Sequence, residues 1–223
     1  MQIDANIDHR QVHVGAQLHP EAASRRDAAP QLARASASRR RSSTPISALK
    51  SGVSQSDALR KFNAFGPSKL FRSLRLGPLQ RIAEVYVPFH LFRVDYDLGR
   101  EHQSRLFAID AVECSLDLFE FAAVPQPDEL AQLETRNALP ANLSGGAAQH
   151  LLREKVLRVV FQQGFFKLRD ANLTTTHVPI DLHLPYWLAF YGKNTARCRV
   201  LDATRNRIDG AKAAALFETW LSA

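Results

Sequence analysis

Asp110 and Asp202 stand in matching text: Leu106-Phe107-Ala108-Ile109-Asp110-Ala111 aligns with Cys198-Arg199-Val200-Leu201-Asp202-Ala203. Two carboxylates brought to one site have their titrations pushed apart, which divides an acid from a base. Neither aspartate is followed by the Thr-Gly or Ser-Gly of duplicated aspartic proteases. An aspartate at a strand end before a turn accepts hydrogen bonds from that turn's own backbone, so turn capping is the expected role. His177, Asp181 and His183 share one parity of an extended chain, and three such ligands on one face would suit zinc or a non-haem metal. The span from 177 to 183 is roughly 20 Å at strand rise, too far for one ion unless Pro179 bends the strand. A structural role is therefore expected, and no metal or cofactor is assigned.

Cys114 and Cys198 have no Cys-x-x-Cys spacing and no neighbouring histidine. They read as reduced thiols of a cytosolic protein. Gly145-Gly146 lies outside the phosphate-loop and dinucleotide patterns, and no Gly-x-Ser-x-Gly elbow occurs.

A second matching pair of phrases lies upstream. Glu84-Val85-Tyr86-Val87-Pro88-Phe89-His90-Leu91 aligns with Asp181-Leu182-His183-Leu184-Pro185-Tyr186-Trp187-Leu188. The offset is 97 residues here and 92 at the aspartates, as a shortened intervening loop would give. Two tandem copies of one supersecondary unit are expected. Aligned in this way, His183 takes the place of Tyr86 and Asp181 that of Glu84. Tyr86, His90, His183 and Trp187 are the candidate binding residues, near the surface between the copies. Aromatic strands can stack single-stranded RNA bases. Here no arginines alternate with the rings, so packing and contact between the copies is the expected use.

These residues need elements to position them. Residues 83–96 have strand composition, with Tyr86, Pro88, His90, Phe92, Val94 and Tyr96 on one face and Val85, Val87, Phe89 and Leu91 on the other. Pro88 cannot donate to a ladder, which places it at an edge, a bulge or a change of partner. Strands at 105–109 and 116–121 complete a first meander. Pro125-Gln126-Pro127 is expected to open a short acidic helix from Asp128 to about Arg136. Ser54 with Asp57 forms a capping box for a helix carrying Ala58, Phe62 and Phe65, and Gly66-Pro67 is its stop. Ser144 caps a second helix from Ala147 to Gln163, closed by Gly164. Strands at 165–168, 173–178, 180–191 and 196–201 and a C-terminal helix over 213–221 finish the chain.

The fold class implied is α+β: two tandem helix-plus-antiparallel-meander repeats forming one compact body, with sheet on one side, helices on the other and the C-terminal helix packed on the sheet. The boundaries are a disordered basic tail over 1–45, a first repeat over 50–126, a helical connector over 127–143 and a second repeat over 144–223. The tail holds seven arginines against four acids, +3 of the chain's net +7, and lacks Phe, Trp and Tyr. Such a segment buries too little surface to offset its ordering entropy. The hydrophobic content of 45% leaves ample material for a core in the remainder. No stretch reaches the roughly 18 apolar residues of a membrane helix, so a soluble cytoplasmic protein, bacterial in character, is expected.

The text RLFAIDAVECSLDLF and its counterpart RCRVLDATRNRID resemble the meander of PepSY-like modules, in which an aliphatic strand ends in Asp and a turn leads to another strand. The stretch LPYWLAFY followed by VLDATRNRIDG is similar to strand modules of zinc-ribbon-associated bacterial proteins, although no zinc ribbon is present. The resemblance implies small helix-plus-sheet modules that bind or regulate, and it transfers no functional residue. The expected function is a non-catalytic interaction or scaffold protein with a protein partner or itself as ligand. One alternative is a small hydrolase or metal-dependent enzyme with His and Asp at the repeat seam. The other is a nucleic-acid binder using the basic tail with Arg72, Arg75 and Arg81.

Overall fold

The computed structural model describes residues 43–63, 77–98, 101–162, 173–192 and 197–222. Most of the basic tail, the Gly66-Pro67 and Gly164 stops and the strand expected at 165–168 lie outside the described residues. In chain order the elements are β1 Thr44–Leu49, α1 Gln55–Asn63, β2 Leu79–Leu98, β3 Glu101–Asp110, β4 Phe119–Phe121, β5 Leu130–Thr135, α2 Gly145–Gln162, β6 Thr174–Tyr191, β7 Cys198–Asp202, β8 Arg207–Ile208 and α3 Ala211–Ser222. The α+β class holds. The eight strands make one mixed sheet curled into a half-barrel, ordered β4-β3-β2-β6-β1-β5, with β7 on β6 and β8 on β7.

The two long strands form the spine. β2 and β6 pair antiparallel from Leu79↔Tyr191 to Asp95↔Thr174, with a register irregularity between Phe89 and Leu91. The strands expected separately at 173–178 and 180–191 are thus one. Apolar residues on both faces of β2 are covered as its alternation requires. Val85, Val87, Phe89 and Leu91 enter a central cluster with Leu182, Leu184, Tyr186 and Leu188 of β6 and with Leu216 and Phe217 of α3. The opposite row, Phe92, Val94 and Tyr96, packs under Ala148, Leu152 and Val156 of α2. On β6 the opposite row, Trp187 and Ala189, packs under Ala58 and Phe62 of α1. Helices therefore cover both faces of the sheet, where a one-sided arrangement was expected: α3 on one, α1 and α2 on the other. The two-sided apolar rows of β2 and β6 demand this, because either face left bare would expose large side chains.

Both prolines mark a change of partner. Before Pro88, Tyr86 bridges to Ala138; after it, Phe89 pairs with Asp110 of β3. Before Pro185, His183 bridges to Ala48 of β1; after it, Tyr186 pairs with Asp202 of β7. The meanders β2-β3-β4 and β6-β7-β8 follow from these points, although the strand expected over 116–121 is reduced to β4.

Two boundaries need correction. The tail expected over 1–45 gives Thr44 and Pro45 to β1, whose Ile46 and Ala48 are buried. The connector expected to be helical contains β5, paired antiparallel with β1 from Thr44↔Thr135 to Leu49↔Leu130. Only a single turn resembles a helix start: Gln126 N–H donates to Glu129 Oε2 (2.7 Å) and Glu129 N–H to Gln126 O (2.9 Å). Beyond it, half-buried and exposed residues alternate from Ala131 to Thr135, the period of a strand.

Candidate functional site

Each aspartate of the matching text holds its own turn. Asp110 is fully buried; Oδ1 accepts from Glu113 N–H (3.0 Å) and Cys114 N–H (2.8 Å), and Oδ2 from Leu116 N–H (2.9 Å). Asp202 Oδ1 accepts from Thr204 N–H and Arg205 N–H, both at 2.9 Å. Its Oδ2 has no hydrogen bond among the described residues and lies 3.7 Å from Arg205 Nε. Cys114 and Asn206, again 92 residues apart, both take φ 53°, the left-handed conformation that closes each turn. Ala111 N–H donates to Pro88 O (2.8 Å), and Ala203 N–H to Pro185 O (3.1 Å). The aspartates act as turn caps, as expected.

The thiols are not poised as nucleophiles. Burial pushes Cys114 up to about 11, and its Sγ contacts Asp110 O at 3.3 Å. Burial, with Glu218 second, pushes Cys198 up to about 12. A nucleophilic cysteine requires the opposite shift.

The four residues singled out from sequence fall into two kinds of place. Trp187 is buried, and its indole N–H donates to Val53 O (3.1 Å), just ahead of α1. His90 is half-buried, and its Nε2 lies 2.8 Å from Leu143 O, just ahead of α2. Ser54 and Ser144 cap those helices through Asp57 N–H (3.2 Å) and Ala147 N–H (3.4 Å). Tyr86 and His183 form the other kind. Each stands two residues after an acid on the same face of its strand. Burial and then Glu84, which accepts a hydrogen bond from its hydroxyl, push the Tyr86 phenol well up. His183 Nδ1 is 3.3 Å from Asp181 Oδ1, and burial holds its pKa down against that carboxylate.

The structure does not unite all four. His90 stacks edge-on with His177, ring centroids 5.4 Å apart, beside Gly145 at the start of α2. Among the described residues no three His, Cys, Asp or Glu side chains converge on one point, so the metal geometry considered for His177, Asp181 and His183 is not formed. Tyr86 and Trp187 do meet. They line a groove of about 380 Å³ with Glu84, Gln55 at the start of α1, Asn137, and Glu134 of β5. Its described lining contains no Lys, Arg or His, although the chain is strongly basic. Asn137 fixes one wall: its O accepts from Tyr86 N–H (2.8 Å) and its Nδ2 donates to Glu84 O (3.0 Å).

A groove of about 470 Å³ beside β3 and β4 is lined by Arg93, Arg105 and Glu120, the last two paired at 3.4 Å. A space of about 350 Å³ at the start of α3 has Arg207 already paired with Asp117 (3.0 Å) and Asp209 (3.4 Å). Of the arginines considered for nucleic acid, Arg72 and Arg75 lie outside the described residues, and Arg81 covers the Phe190 ring at 4.8 Å. The one large apolar side chain strongly exposed among the described residues is Leu151. No described helix is long and apolar enough to cross a membrane. Sequence reasoning missed Gln55, Glu134 and Asn137; the acid of Glu134 was visible, but a helical reading of its segment turned it away from Tyr86. Comparison with known proteins found no matching family model, no matching curated protein and no matching solved structure.

Proposed function

We propose that this chain is a non-catalytic interaction protein, built from two copies of one helix-plus-meander unit, that binds a protein partner through the groove between α1, β2 and β5. Support for the duplication comes from contacts that recur at offsets of 97, 92 and 90 residues. These are the Pro88–Ala111 and Pro185–Ala203 bonds, the two aspartate turns, the Ser54 and Ser144 caps, and the His90–Leu143 and Trp187–Val53 contacts. Under this relation Trp187 answers to His90, and Tyr86 to His183. The PepSY-like resemblance, a strand closing in an aspartate turn, is in keeping with such modules.

The observation that carries the binding reading is a contrast between two sets of polar groups. The Asp110 carboxylate, the Cys114 thiol and the Trp187 N–H are bonded inside the fold, whereas Glu84, Glu134 and Gln55 line a solvent-open groove. A photo-crosslinking residue placed at Gln55 in the full chain tests it. The expected result is a discrete protein adduct that is absent when the crosslinker is moved to Glu113, an exposed position outside the groove. Equal labelling from both positions, or none from Gln55, overturns the reading.

A further inference from the structure

Resting on that binding reading, we propose that the groove's occupant is an extended, basic segment of a partner protein, laid along β5 as an added strand with a Lys or Arg directed at Glu134 and Glu84. Two independent features lead there. The first is the edge. Lys50 N–H donates to Glu129 O (3.0 Å), so these residues face each other across the β1–β5 ladder. Antiparallel alternation then turns the backbone N–H and C=O groups of Gln132 and Glu134 away from β1. β5 has no second strand neighbour among the described residues, so these groups form an open template. Main-chain pairing at such an edge supplies affinity, and side-chain pockets beside it supply selection.

The second feature is charge. Glu134 belongs both to that edge and to the groove wall, and it has no ion-pair partner among the described residues. Glu84 lies across the groove, its carboxylate held towards the Tyr86 hydroxyl. A cation between the two carboxylates would also approach the Tyr86 ring, whose face attracts positive charge. An acidic segment would be repelled by both carboxylates, and a purely apolar one would leave them unpaired. The polarity opposes that of the whole molecule, so general attraction between this basic chain and a basic peptide cannot produce the binding.

The test uses the full chain and a capped eight-residue peptide of alternating Lys and Thr, with a control peptide in which Gln replaces Lys. Titration calorimetry at low salt is expected to show the Lys peptide binding at least about tenfold more tightly than the Gln peptide. Glu134→Gln and Glu84→Gln should each weaken it about three- to fivefold, as exposed charge pairs do. Backbone N-methylation of the peptide should weaken it further, and Glu113→Gln should change nothing. Variants are compared only after thermal melts show them folded. Equal binding of the two peptides, or indifference to Glu134→Gln, overturns the proposal. A Gln55 adduct that maps to an acidic or apolar partner segment also overturns it, while leaving the binding reading in place; the absence of any Gln55 adduct removes the reading itself.

Discussion

Removing the carboxylate of Asp110 should cost more stability than removing that of Asp202, although the two stand in matching text. Asp110→Ala deletes the acceptor for three backbone N–H groups. Glu113 is exposed and its N–H can turn to water, but Cys114 and Leu116 are buried. A buried donor left without a partner costs about 1–3 kcal/mol, so the expected loss is about 3–5 kcal/mol. Asp202→Ala deletes the acceptor for two N–H groups, those of Thr204 and Arg205, both on half-buried residues. It also removes Oδ2, a buried oxygen without a hydrogen bond among the described residues. Relief of that desolvated oxygen and loss of its 3.7 Å pairing with the half-buried Arg205 act in opposite directions, leaving the two N–H groups to set a loss of about 1–2 kcal/mol. Urea unfolding followed by circular dichroism measures both, with an unchanged slope as the check that the unfolded states are comparable. At about 2–4 °C per kcal/mol for a chain of this size, the melting temperatures should differ by several degrees. An Asp202→Ala as damaging as Asp110→Ala would refute the account of how each carboxylate is used.

Further outcomes follow from the packing and the titrating groups. Phe217→Ala should destabilise by about 3–5 kcal/mol, because the ring is fully buried in the central cluster against Tyr186. Thermal melts read this, and a loss under about 1 kcal/mol would mean α3 is not docked as described. Trp187→Phe keeps the apolar contact with α1 but removes one of the two donors to Val53 O, the Ser51 hydroxyl (2.9 Å) remaining, for an expected loss of about 0.5–1.5 kcal/mol in urea unfolding. His183 has its folded pKa held below the ordinary histidine value of about 6.5, chiefly by burial, so the fold disfavours its protonation. Its contribution is complete above about pH 6.5 and is lost as the pH falls towards the lowered folded value. His183→Gln should flatten the stability–pH curve in that window, and an unchanged slope would show that the imidazole is not buried neutral.

How much of this was legible depends on where each signal resides. The rows of β2 could be read because alternation over a long strand repeats the message many times, and Pro88 announced a change of partner by lacking a donor. Ser54 and Ser144 were legible as caps because the cap and its helix are contiguous in sequence. β1 and β5 were hidden. Six residues each, without aromatic rings and with Pro45 inside the first, they are strands because each completes the other and β1 also meets β6. Neither property can be seen from inside either segment. The error carried into the site: a helical 128–136 dispersed the very residues, Leu133 to Thr135, that wall the groove beside Tyr86.

The same reasoning explains why the candidate residues were found while their grouping was not. Tyr86, His90, His183 and Trp187 advertise themselves as rings recurring beside prolines, a local property. Their partners are remote. Trp187 reaches Val53, His90 reaches Leu143, and Tyr86 is clasped by Asn137 and Leu139. Each contact joins one long strand to the segment ahead of a helix or to the crossing chain after β5. The first segment, at Val53, serves β6; the second, from Asn137 to Leu143, serves β2. The described residues accordingly form one compact unit rather than two. A cut anywhere between β5 and α2 would leave the central row of β2, from Val85 to Leu91, without the β6 and α3 side chains that cover it. The groove inherits this dependence, since its floor comes from β2 and β6, and its walls from α1 and β5. A partner bound there would touch both long strands at once, so its binding would oppose their separation and stabilise the whole body through mass action.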